Sequence, residues 1–101
     1  MERGLYNIAT ATTTTLIDFY KGKGSISSIR LTNAHAATAV TVDLFLEDES
    51  STKCYLLKTD IPGKASVFLE NVSFNNSVLA LKVTTAGSGL HAATPLSIII
   101  K

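Results

Sequence analysis

The sequence predicts an all-β fold: a single antiparallel β-sandwich, of jelly-roll or immunoglobulin-like type, with about eight short strands. Three observations predict it. Apolar residues recur with period two along most of the chain, and helical periodicity is nearly absent. The alternating runs are short and are separated by turn residues at regular spacing. Threonine is abundant, and β-branched side chains suit a pleated, half-buried surface. A small barrel is the main competitor. A length of 101 residues makes one domain, 1–101, around one core.

The elements follow in order. "LYNIAT" (5–10) and "TTLIDFY" (14–20) are the first candidate strands, and "KGKGS" (21–25) turns the chain. Within residues 1–24, "NIATATTTTLI" is rich in Thr and Ala, weak in core formers, and has little to fix its register. Residues 1–24 read as an edge hairpin or an extended N-terminal arm that pairs with a neighbour by strand addition. "SISSIRLTN" (25–33) is the next strand, with Ile29 and Leu31 inward and Ile26 out of phase. "TAVTVDLFLED" (38–48) is the clearest strand, with Val40, Val42, Leu44 and Leu46 on one face and Thr41, Asp43, Phe45 and Glu47 on the other. "EDESST" (47–52) is a polar hairpin loop before "KCYLLKT" (53–59), which "DIPGK" (60–64) ends with Pro and Gly. "ASVFLEN" (65–71) is a strand and "SFNNS" (73–77) a turn. "VLALKVTT" (78–85) puts Leu79, Leu81 and Val83 on one face. The loop "AGSGLHAAT" (86–94) leads to the last strand, "PLSIIIK" (95–101), whose proline suits a first position that needs no ladder donor.

Composition excludes much. Apolar residues make up 46% and charged residues 17%, as in folded proteins, and the net charge is +1. No strong field draws nucleic acid or anionic lipid to such a chain, and neither is expected as a partner. Lys21, Lys23 and Arg30 near Phe19 and Tyr20 make at most a small basic patch. No secretory signal and no membrane span is expected from these short apolar runs. The single cysteine, Cys54, allows no internal disulfide and reads as a small core residue. The sequons at Asn71 and Asn75 read as turn residues.

No catalytic constellation emerges, and the chain reads as a non-enzyme without cofactor or metal. His35 and His91 each stand alone among small residues, where a metal would need several converging ligands. A nucleophile elbow is missing. Asp43, Glu47, Asp48 and Glu49 lie on or beside one hairpin tip, where solvation explains them. "GKGS" (22–25) falls short of a phosphate loop.

What stands out is a surplus of apolar residues facing away from the core. Phe45, Phe68, Val78 and Ile99 fall on faces where a monomeric sandwich ordinarily places polar groups. Together they form a candidate protein interface. His35 and His91 join it through the repeat "HAAT", at 35–38 and 91–94. "IRLTNA" precedes the first copy, and "LKVTTA" precedes the second before an inserted "GSGL". Both copies read as hairpin connections. If they turn at one end, the two histidines share a rim.

The stretch from "ISSIRLTN" through "VTVDLFLED", "YLLK…IP" and "N…LALKVTT" resembles small β-sandwich virion proteins of tailed bacteriophages, over roughly residues 25–101. The resemblance implies a structural role in the virion, assembled in the host cytoplasm. It implies a capsid decoration or cement protein, homo-oligomeric, that binds the major capsid protein or other virion proteins. Alternatives are a neck, tail or fibre accessory protein, or a glycan- or receptor-binding module. Tyr6, Tyr20, Phe45 and Tyr55 would be the sugar platform of that module, although tryptophan, the favoured platform, is absent.

Overall fold

The computed structural model describes residues 5–20, 25–87, 90 and 94–101. Eight strands run through them: β1 (Leu5–Ile8), β2 (Thr12–Ile17), β3 (Ser25–Asn33), β4 (Val40–Glu47), β5 (Lys53–Ile61), β6 (Ser66–Ser73), β7 (Ala80–Ala86) and β8 (Leu96–Ile100). They form two four-stranded antiparallel sheets, in the orders β1-β8-β3-β6 and β2-β7-β4-β5.

The order has a simple logic. Four ladders join first strand to last, second to seventh, third to sixth and fourth to fifth. That is one long antiparallel hairpin rolled on itself, and the β3·β8 and β4·β7 ladders close the roll. This is the jelly-roll arrangement. Only β4 and β5 are consecutive strands within one sheet; every other step in the chain changes sheet. Because all ladders are antiparallel, the β1–β2, β3–β4, β5–β6 and β7–β8 connections gather at one end. The β2–β3, β4–β5 and β6–β7 connections gather at the other.

The core lies between the sheets. Val40, Val42, Leu44, Leu81 and Val83 from one sheet meet Ile29, Leu31, Leu96 and Ile98 from the other, all with no solvent exposure. Each such side chain contributes about 1.5–3 kcal/mol by leaving water.

Ile26 departs from the expected phase and is buried with this core. The cause is a local change in the backbone. The N–H groups of Ser27 and Ser28 both donate to the Lys101 carbonyl, at 2.8 and 3.3 Å, so two residues oppose one. Beside them on β6, Asn71 adopts φ 58°. Past this point the inward phase switches on both strands, from Ile29 to Ile26 and from Leu69 to Val72. Asn71 is therefore a strand residue in the left-handed region, where the sequence suggested a turn. Asn is among the few non-glycine residues that tolerate that region.

Two further expectations are revised. The "HAAT" connections are not hairpins, because β3–β4 and β7–β8 each pass between sheets. Cys54 is exposed, at the start of edge strand β5 and outside the core. The described part of the N-terminal segment gives one edge strand to each sheet, and the Tyr6 hydroxyl ties the two by donating to the Leu16 carbonyl at 2.7 Å.

Candidate interaction surface

The outer face of the β1-β8-β3-β6 sheet carries two contrasting rows. Asn7, Ser97, Thr32 and Ser66 are in register across the four strands. They pair as polar neighbours, Ser97 Oγ to Asn7 Oδ1 at 2.8 Å and Thr32 to Ser66 at 2.9 Å. One pair along, Leu5, Ile99, Arg30 and Phe68 are in register. Leu5 is 77% exposed, Phe68 is 46% exposed and Ile99 is half-buried. The Arg30 guanidinium lies 5.4 Å from the Phe68 ring centre, a cation–π contact on an open surface. Ser28 and Lys101 border a shallow depression beside them. Leu5 extends a row of which the sequence reading named only Phe68 and Ile99. An outward Leu opposite an outward Ile was the signal, hidden until the β1·β8 register was known.

The other outer face behaves differently. Phe45 points outward, as its phase requires, but it is only 1% exposed. Its neighbours roof it. A bulge in the β4·β5 ladder places Leu44 opposite Leu57 and Phe45 opposite Tyr55, leaving Leu56 as the extra residue. The Tyr55 ring then tilts against Phe45 with centroids 5.6 Å apart. The Lys53 ammonium sits 5.0 Å from the Phe45 ring centre. On the other side Phe45 is paired with Lys82, which is bound to Glu47. Lys58 covers Tyr55 at 4.2 Å and reaches Asp43 at 3.5 Å. Phe45 therefore offers no exposed surface of its own.

Val78 is 49% exposed, but it lies in the β6–β7 turn and not on a sheet face. Its N–H donates to the Asn75 carbonyl, which the Leu79 N–H also reaches. With Tyr20, Asp48, Glu49, Ser50 and Ser77 it lines an open groove at the hairpin end of the sandwich. Tyr20 is 73% exposed, and its N–H donates to the Asn76 carbonyl.

His35 is half-buried and holds its own loop together. Asn33, fully buried at the end of β3, donates from Nδ2 to the Thr38 and Ile61 carbonyls at 2.8 and 2.9 Å. Its Oδ1 accepts the His35 N–H at 3.0 Å. The His35 ring Nδ1 accepts from the Ala37 and Thr38 N–H groups at 3.1 and 3.0 Å. The first "HAAT" is thus a self-bonded loop. Against it packs the β5–β6 turn, where a Cβ on Gly63 would stand 2.7 Å from the Ala37 nitrogen. His91 lies outside the described residues; the β7–β8 connection to which it belongs starts and ends at the same end as the His35 loop.

Carboxylates at both ends of the β4·β5 ladder are engaged in similar ways. Asp48 Oδ1 accepts the Ser50 and Thr52 N–H groups, and Asp60 Oδ1 accepts the Thr41 hydroxyl. Among the described residues no three of His, Cys, Asp and Glu gather as metal ligands.

No family model matches the chain, and no curated protein matches it. Among solved structures, the chain is similar to the Anabaena sensory rhodopsin transducer. Identity is 11% and the TM-score 0.42, over 100% of this chain and 96% of that one. It is also similar to chains in two structures of infectious bursal disease virus. In the T13 particle the identity is 13% and the TM-score 0.48, over 99% of this chain. In the Gt strain the identity is 11% and the TM-score 0.41, over 100% of this chain. This chain spans 27% and 29% of those two viral chains.

Proposed function

We infer that the chain is a non-enzymatic structural protein of a virion, and specifically a capsid decoration or cement protein of a tailed bacteriophage. In this reading it binds the major capsid protein and occurs as a homo-oligomer. The observation that carries the reading is the row Leu5–Ile99–Arg30–Phe68, an apolar band across an outer sheet face that a solitary sandwich would keep polar. Two further observations support it. The chain resembles small phage virion sandwiches from "SISSIRLTN" to the last strand. His35 Nδ1, Asp48 Oδ1, Asp60 Oδ1 and Glu47 Oε1 are each engaged in loop, turn or ladder contacts, which is framework chemistry.

Mass spectrometry of purified particles from the source phage tests the reading. A decoration protein should appear at a copy number near that of the major capsid protein. A copy number of a few per particle would move it to the neck or tail. Absence from the particle would overturn the proposal.

A further inference from the structure

Of the five exposed large apolar residues among those described, Tyr55 stands on the outer face of the β2-β7-β4-β5 sheet and the other four fall in two patches. Leu5 and Phe68 lie on the β1-β8-β3-β6 face, in the row that contains Arg30. Tyr20 and Val78 lie at the hairpin end, beside Asp48 and Glu49. One apolar patch is marked by a cation and the other by carboxylates.

Arg30 is an outer-face cation without a carboxylate partner among the described residues, as Lys53 is on the opposite sheet. On the opposite sheet Lys58 and Lys82 are each bound to a carboxylate, Asp43 and Glu47. Among the described residues Arg30 is in no ion pair, although Glu70 stands on its face one pair along. The Arg30 guanidinium lies over the Phe68 ring on an open face, where a carboxylate from outside can reach it. In the groove, Asp48 Oδ1 is already bonded within its turn. Glu49 is exposed at the tip.

We propose that the Leu5–Ile99–Arg30–Phe68 face of one copy docks on the Tyr20–Val78 groove of a second copy, with Arg30 meeting Glu49. The two patches lie on different surfaces, one on a sheet face and one at an end. The contact is therefore heterologous, and it propagates into a ring or a chain. Face-to-face pairing of two such sheets about an axis near Arg30 would bring the two guanidiniums together, which charge disfavours. Lys21 and Lys23 follow Tyr20 in the sequence and lie outside the described residues. The inference goes beyond the virion reading and stands without it, because only copies of this chain take part.

Sedimentation velocity of the full chain over a concentration series tests the contact. The expected mass grows with concentration past a dimer and falls as salt rises. Arg30→Glu or Glu49→Arg should weaken association roughly tenfold or more. The double variant R30E/E49R should restore it. If Arg30→Glu disturbs its strand by circular dichroism, Glu49→Arg, in a turn, tests the same contact alone. A monomer at every concentration overturns the proposal. So does association that Glu49→Arg leaves unchanged, or that a folded double variant fails to restore.

Discussion

Asn33 shows how much one side chain can organise. Its amide holds the Thr38 carbonyl, the Ile61 carbonyl and the His35 N–H, linking β3, the following loop and β5. Asn33→Ala would leave these groups without that partner at a buried site, at a cost of about 3 kcal/mol. Urea unfolding followed by circular dichroism would read the loss as a lower midpoint with an unchanged slope. Phe45 makes the complementary point. Phase alone places it outward, and period two in the sequence shows that correctly. Its burial depends on Tyr55, Lys53 and Lys82, which reach it only through a bulge and a long-range ladder. Phe45→Asp is therefore expected to destabilise by about 3 kcal/mol or more, as a truncated aromatic core residue would. Phe68→Ser, on the open face, should stay within about 0.5 kcal/mol. Equal stability of the two variants in the same denaturation series would contradict this difference.

At the scale of elements, all eight strands are legible because alternation and turn residues are local signals. The boundaries are less so. The strand expected at 14–20 runs from Thr12 to Ile17, since Tyr20 takes φ 61° and its N–H turns to the Asn76 carbonyl in another loop. The strand expected from Val78 starts at Ala80, because the Asn75 turn captures the N–H groups of Val78 and Leu79. The phase switch at Ile26 is not visible locally, because it needs two residues distant in sequence, Asn71 and Lys101, beside Ser27 and Ser28. Asn71→Val would place a β-branched residue in the left-handed region and should cost about 1–2 kcal/mol, while Asn71→Gly should be close to neutral. Thermal unfolding of the two variants separates backbone conformation from side-chain loss. Gly63→Ala acts between elements. Its methyl would press on the Ala37 backbone and should cost about 1–3 kcal/mol by overpacking.

For the whole molecule, the sheet order explains the repeated letters. Advancing every strand number by four converts the order β1-β8-β3-β6 into β5-β4-β7-β2, the second sheet read backwards. β3 and β7 are thus equivalent by this pseudo-dyad, and so are the connections that follow them. "IRLTN" and "LKVTT" end on Asn33 and Thr85, the two buried polar residues among those described. Thr85 ties Thr10 and Thr12 as Asn33 ties Thr38 and Ile61. The repeat falls on matching places of two Greek keys, which the four-letter match alone did not reveal. The row Leu5–Ile99–Arg30–Phe68 was half legible. Alternation marks Phe68 and Ile99 as outward, but only the order β1-β8-β3-β6 brings the four together. Leu44→Ala, in the shared core, should cost about 2–5 kcal/mol and leave that row untouched.

The most direct measurement of the structural role is a reconstruction of the purified particle by electron cryomicroscopy. The expected result is a two-sheet, eight-stranded density at symmetry-related capsid positions, with its Leu5–Phe68 face covered by a neighbour. A complete particle map with no such density would contradict the virion reading. A bound domain whose Leu5–Phe68 face is open to solvent would remove its main support.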